Sequence, residues 1–225
     1  MHSTIEGITT MTTYAPAKTS ATKTRLLAGV VAGPLYLVLG FAQAATRDGF
    51  DLTVHPFSFL SLGDGGWVQI ANFVLAGVLF LVSAAGLRKA MRGSTWGPRL
   101  IGGMGAGMVA GGVFTADPAF GFPAGAPAGQ PEAVSWHGTL HMVAFMVAIV
   151  AWTLSCFVFA RYFAARKHKG LAVYSVLTGV ALLATPAFMG TSGGVVLLYV
   201  VATLGWVWSS VAIGAVAKEH DNGEM

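Results

Sequence analysis

Along the chain, apolar residues gather into six long runs separated by short polar or charged segments: roughly 26–46, 67–87, 98–116, 136–160, 171–190 and 194–217. Crossing a hydrocarbon core about 30 Å thick takes on the order of 20 helical residues, and each run is about that long. The pattern predicts an all-α, polytopic integral membrane protein, a bundle of six transmembrane helices over 26–217 with no room for a second domain. A disordered, Thr-rich cytoplasmic tail is expected at 1–25 and a short solvated one at 218–225; Met11 offers an alternative start. Nothing in the first tail has the apolar core of a signal peptide. Pro34 and Pro186 each remove a backbone donor and are expected to kink the first and fifth helices.

Composition agrees, with 55% hydrophobic and 10% charged residues against roughly 45–50% and about 25% in soluble domains. Charge then orients the spans. Of the 13 Lys and Arg residues, all but Arg47 fall in the first tail, the loops after spans two and four, the start of span three, or just after span six. Lys/Arg excess marks cytoplasmic loops, so both termini are expected in the cytoplasm. The net charge of +4 is accounted for by orientation and anionic headgroups; membrane lipids are the expected partners, and nucleic acid is not. Cys156, the single cysteine, permits no intrachain disulfide and reads as a small core residue. His2, His168 and His220 read as solvated, and Trp67, Trp136 and Tyr199 as members of an aromatic belt.

Polar residues inside spans are costly unless they face protein or water, and here they collect at the outer ends. Gln43 and Thr46 close span one, Gln69 and Asn72 open span two, Asp117 follows span three, and His137 and His141 open span four. Four residues turn a helix by about 400°, so the two imidazoles share a face. That spacing suits a metal, with Asp117 as third ligand, and zinc is the candidate ion, though zinc wants three or four ligands. Between spans one and two lies His55-Pro-Phe-Ser-Phe-Leu-Ser-Leu-Gly-Asp-Gly-Gly-Trp67, too broken for a membrane helix. It can fold over the bundle mouth and bring His55 and Asp64 to a pocket shared with Asp117, His137, His141, Gln69 and Asn72. A structural alternative stands beside this: Asp64 caps span two, Asp117 caps the turn at Pro118, and the histidines bond loop carbonyls. Haem is disfavoured, because both in-span histidines lie on one helix.

Gly103, Gly107 and Gly111 line one face of span three at intervals of four, which suits close helix contact. The span is expected at the bundle's centre, with a homo-oligomer through that face as the alternative.

The succession "GPLYLVLGF", "HPFSFLSLGDGGWVQIANFVLAG", "GVFTADPAFGFP" and "HGTLHMVAF" resembles the family catalogued as domain of unknown function 998, over about 26–215. The resemblance implies a six-helix protein of a bacterial or archaeal cell membrane and assigns no activity. Ceramidase-like hydrolases also carry His-x-x-x-His near a membrane face, but on a late helix of seven, so that similarity is weak. Three functions stay open: a bundle binding a small polar ligand or lipid headgroup at its outer face, a metal-dependent hydrolase with Asp64 as general base, and a structural or accessory membrane subunit. Whether the chain is an enzyme is left open.

Overall fold

A computed structural model describes residues 18–188, 191 and 193–223. The apolar runs form α1 (Lys18–Thr46), α2 (Gly66–Ala90), α3 (Trp96–Val113), α4 (Trp136–Ala165), α5 (Lys169–Ala184) and α6 (Gly194–Asp221). Two short 3₁₀ turns, Phe57–Ser61 and Thr185–Phe188, interrupt the connections. Five of the six helices are long and apolar enough to cross a membrane, and the protein is a multi-pass membrane protein. The remaining helix, α3, has 18 residues, seven of them glycine, and would rise about 27 Å.

Each helix runs antiparallel to the next, and α6 closes the ring against α1. Gly86 of α2 faces Leu26 of α1, Gly29 faces Ser83, and Gln43 bonds Gln69. Gly77 of α2 and Gly105 of α3 meet so closely that a Cβ on either would lie 2.6–2.7 Å from the other's carbonyl oxygen. Against α4, a Cβ on Gly107 would lie 2.8 Å from Ala144 O, and Gly103 faces Ala151. The glycine face of α3 therefore packs inside the chain against α4. Where lipid tails are as apolar as the side chains, close backbone approach and interhelical hydrogen bonds hold helices together. Trp152 Nε1 donates to Ser209 Oγ at 3.0 Å and Trp208 Nε1 to Ser175 Oγ at 2.9 Å. Pro34 leaves the Val30 carbonyl without its i+4 donor, and Ser210 Oγ of α6 donates to that oxygen at 2.7 Å. Cys156 is fully buried among these helices.

The start of α1 and the end of α6 lie at one end of the ring, where Lys23 pairs with Asp221 at 2.6 Å; this is the terminal end, and the loops after α1, α3 and α5 form the far end. The expected tails are corrected here. Helix α1 begins at Lys18 and α6 runs to Asp221, because Thr22 is buried and Glu219 is 6% exposed between α4 and α6. Met11 and residues 1–17 lie outside the described residues. His168, expected to be solvated, approaches Glu219 Oε1 at 3.1 Å. Pro186 sits in the 3₁₀ turn that follows α5 and ends the helix instead of kinking it.

Candidate functional site

Five of the residues singled out from sequence, His55, Asp64 and Asp117 in the far-end loops and His137 and His141 on the first turns of α4, fall in two separate groups. In the first loop His55 is 4% exposed. Its Nδ1 accepts from Asp51 N at 2.9 Å, which leaves the proton on Nε2, and Nε2 donates to Phe120 O of the α3–α4 loop at 2.9 Å. Its own carbonyl accepts from Tyr199 Oη of α6 at 2.7 Å, so Tyr199 is a half-buried tie and not a belt residue. With both ring nitrogens bonded and its ring against Phe59, Phe122 and Phe50, His55 is a strut between two loops. Arg47, the cation at this end, donates to the carbonyls of Leu60 and Leu62. Asp64 is exposed and makes no hydrogen bond or ion pair among the described residues, while Gly65, in a left-handed conformation (φ 78°), occupies the N-cap of α2.

In the second group Ser135 caps α4, its Oγ accepting from Gly138 N at 3.0 Å. Asp117 Oδ2 accepts from Ser135 N at 2.9 Å, and its other oxygen lies 3.9 Å from His137 Nδ1. Gly138 makes the fit possible, since a Cβ there would lie 2.1 Å from Asp117 Oδ2. Partial burial pushes the Asp117 carboxyl up, but the Ser135 hydrogen bonds and the neighbouring His137 and His141 outweigh it and hold the group below its ordinary value. His137 Nδ1 donates to Thr115 O at 3.1 Å, and His141 Nδ1 donates to Phe114 O at 2.7 Å. The Asp117, His137 and His141 side chains thus fasten the loop after α3 onto the first turns of α4. No group of three or more His, Cys, Asp or Glu side chains among the described residues is arranged to hold a metal, which removes the geometric support for zinc at His137, His141 and Asp117.

Gln69 and Asn72 point the other way, into the seam with α1. Gln69 Oε1 accepts from Gln43 Nε2 at 2.8 Å and from Asn72 Nδ2 at 3.2 Å, and Gln69 Nε2 reaches Tyr36 Oη at 3.4 Å. Two buried oxygens of this network, Gln43 Oε1 and Asn72 Oδ1, have no hydrogen-bond partner among the described residues.

Tyr36 is also a wall of the feature that sequence reasoning missed. A cavity of about 140 Å³ lies inside the ring toward the far end, lined from all six helices and roofed by Pro56, Phe57 and Ser58. Its walls are aromatic and aliphatic, chiefly Tyr36, Phe73, Trp152, Leu182, Tyr199 and Trp206. Phe145 of α4 lines it while being 41% exposed, so the cavity reaches the bundle's perimeter beside that ring. None of the seven sequence-predicted pocket residues lines it. The opening stretch does supply its lid, through the apolar half of "HPFSFL" and not through His55 or Asp64. Aromatic residues inside spans read equally as core, so only their convergence in space marks the site.

The sequence profile of the family described as "Protein of unknown function (DUF998)" matches residues 30–217. The chain belongs to this family. The match reaches from within α1 to within α6 and takes in the four helices between them and all three far-end loops. No curated protein and no solved structure matches the chain.

Proposed function

We propose that this DUF998 protein is a plasma-membrane bundle of six spans that binds one slender apolar group, such as a lipid hydrocarbon chain, in its interior cavity. The cations gathered at the terminal end support an orientation with both termini in the cytoplasm, which turns the cavity toward the non-cytoplasmic leaflet. The observation that carries the binding reading is the cavity of about 140 Å³ with its aromatic walls. An apolar void of about 150 Å³ stays dry and takes benzene-sized guests, so this one suits a ring or a few methylenes. The perimeter position of Phe145 provides lateral access from lipid. Asp117, His137 and His141 then serve to fasten the α3–α4 loop onto α4, His55 ties the roofing loop to that loop, and the hydrolase reading is dropped because Asp64 stands apart from them.

Trp152 and Trp206 line the cavity, which makes binding visible by fluorescence. Titrating detergent-purified protein with a brominated fatty acid should quench these two indoles saturably, as judged by the loss of quenching in a Trp152→Phe, Trp206→Phe variant. An Ala202→Phe variant, which fills the cavity, should abolish the saturable component. Equal quenching in Ala202→Phe and wild type would overturn the assignment.

A further inference from the structure

The terminal end carries a second, chemically opposite concavity. A cleft of about 630 Å³ opens between the α2–α3 turn and the last turns of α4, walled by Arg92, Ser94, Thr95, Trp96, Arg161 and Arg166. A smaller recess of about 210 Å³ lies along the same turn and adds Arg88 and Arg99. Arg166 is anchored, its Nε 3.3 Å from Glu219 Oε2 and its guanidinium 3.7 Å from the Tyr162 ring centre. Arg92 and Arg161 are exposed and have no carboxylate within ion-pair distance among the described residues. The described carboxylates of this end are already engaged: Glu219 holds Arg166 and His168, and Asp221 holds Lys23. The charges of Arg92 and Arg161 are therefore uncompensated among the described residues.

Orientation in the membrane would be served equally by lysine, yet the cations lining the cleft are all arginine, while Lys89, Lys167 and Lys169 lie outside it. The planar guanidinium fork matches phosphate oxygens in pairs, which an ammonium does not. Ser94 and Thr95 add hydroxyl donors, and Trp96, 61% exposed at the rim, is the kind of ring that sits at headgroup level.

We infer that this cleft binds a phosphate group between Arg92 and Arg161, the phosphodiester of an anionic lipid or a free phosphate at the same depth. Its observations are independent of the interior cavity, so either assignment can fail without the other. Full-length, delipidated protein in detergent is titrated, with native mass spectrometry as readout, with phosphatidylglycerol, with phosphatidylcholine of the same chains, and separately with inorganic phosphate. The comparison is with an Arg92→Gln, Arg161→Gln variant and with a Lys167→Gln, Lys169→Gln variant that removes the same charge outside the cleft. Phosphatidylglycerol binding about tenfold tighter than phosphatidylcholine, lost in the arginine variant and kept in the lysine variant, supports the site with lipid as its source. Phosphate binding with that same dependence supports it with free phosphate as its source. Absence of both, or equal losses in the two variants, overturns it. Should the double arginine variant lose its native melting behaviour, Arg161→Gln alone, at an exposed residue whose side chain makes no hydrogen bond among the described residues, is read by the same criteria.

Discussion

Replacing Gly107 by alanine probes how α3 is held. A Cβ at Gly107 would lie 2.8 Å from Ala144 O and from Ala148 N, and 2.9 Å from Ala148 Cβ. Backbone atoms cannot rotate away, so α3 and α4 must part by several tenths of an ångström. Overpacking of this kind costs about 1–3 kcal/mol, and the preference of a helix for alanine over glycine returns about 1 kcal/mol. The net expectation is a loss of about 1–2 kcal/mol. Two positions on the same face act as internal controls. A Cβ on Gly103 would meet Ala151 Cβ at 3.4 Å, and one on Gly111 would meet His141 Cε1 at 4.0 Å, both ordinary contacts. Alanine at either should be neutral or stabilising by up to about 1 kcal/mol. Reversible unfolding in mixed micelles of rising dodecyl sulfate fraction, followed by tryptophan fluorescence, measures all three. A neutral Gly107→Ala, or a Gly103→Ala as costly as Gly107→Ala, would refute the close α3–α4 contact.

Other perturbations test the remaining joints. Ser210→Ala removes the donor to Val30 O and should cost about 1 kcal/mol; in a Pro34→Ala background, where an amide can reclaim that carbonyl, the same change should cost clearly less, and a flat double-mutant cycle would contradict this pairing. His55→Ala severs the links to Asp51 and Phe120 and should cost about 2 kcal/mol, seen as faster proteolysis within 47–65; an unchanged cleavage rate would count against the strut. The Asp117 carboxyl is held below its ordinary value of 3.8, so its stabilisation is complete above about pH 4 and lost as pH falls through the lower folded value. The melting temperature should fall below pH 4 in wild type and fall less in Asp117→Asn, whose stability at neutral pH is already reduced; Asp51, also held low by Thr53, keeps the fall from vanishing altogether.

The helices were legible because apolar run length alone sets them, and α2, α4 and α6 start within a residue or so of the expected positions. Their polar extensions were not, because hydropathy does not register Lys23 meeting Asp221 or Glu219 buried against Tyr162 and Arg166. The spacing of His137 and His141 placed both on the opening turns of α4, where His137 comes within 3.9 Å of Asp117 while His141 turns to the carbonyl of Phe114. Asp64 and His55 were misplaced for a definite reason: a glycine in the left-handed region took the cap position, and both imidazole nitrogens of His55 found backbone partners in the loops. The cavity left no trace in sequence, since Trp152, Leu182 and Trp206 have the same composition as any packed span.

Occupancy of the cavity can be read directly by photocrosslinking. A fatty acid carrying a diazirine near its methyl end, irradiated with the protein in membranes and mapped by peptide mass spectrometry, should label wall residues such as Leu182, Ala202 and Met108, and lose those adducts in Ala202→Phe. Adducts confined to the exposed outer surface, at residues such as Val38 and Leu183, with the wall residues unlabelled, would contradict a hydrocarbon chain held inside the bundle.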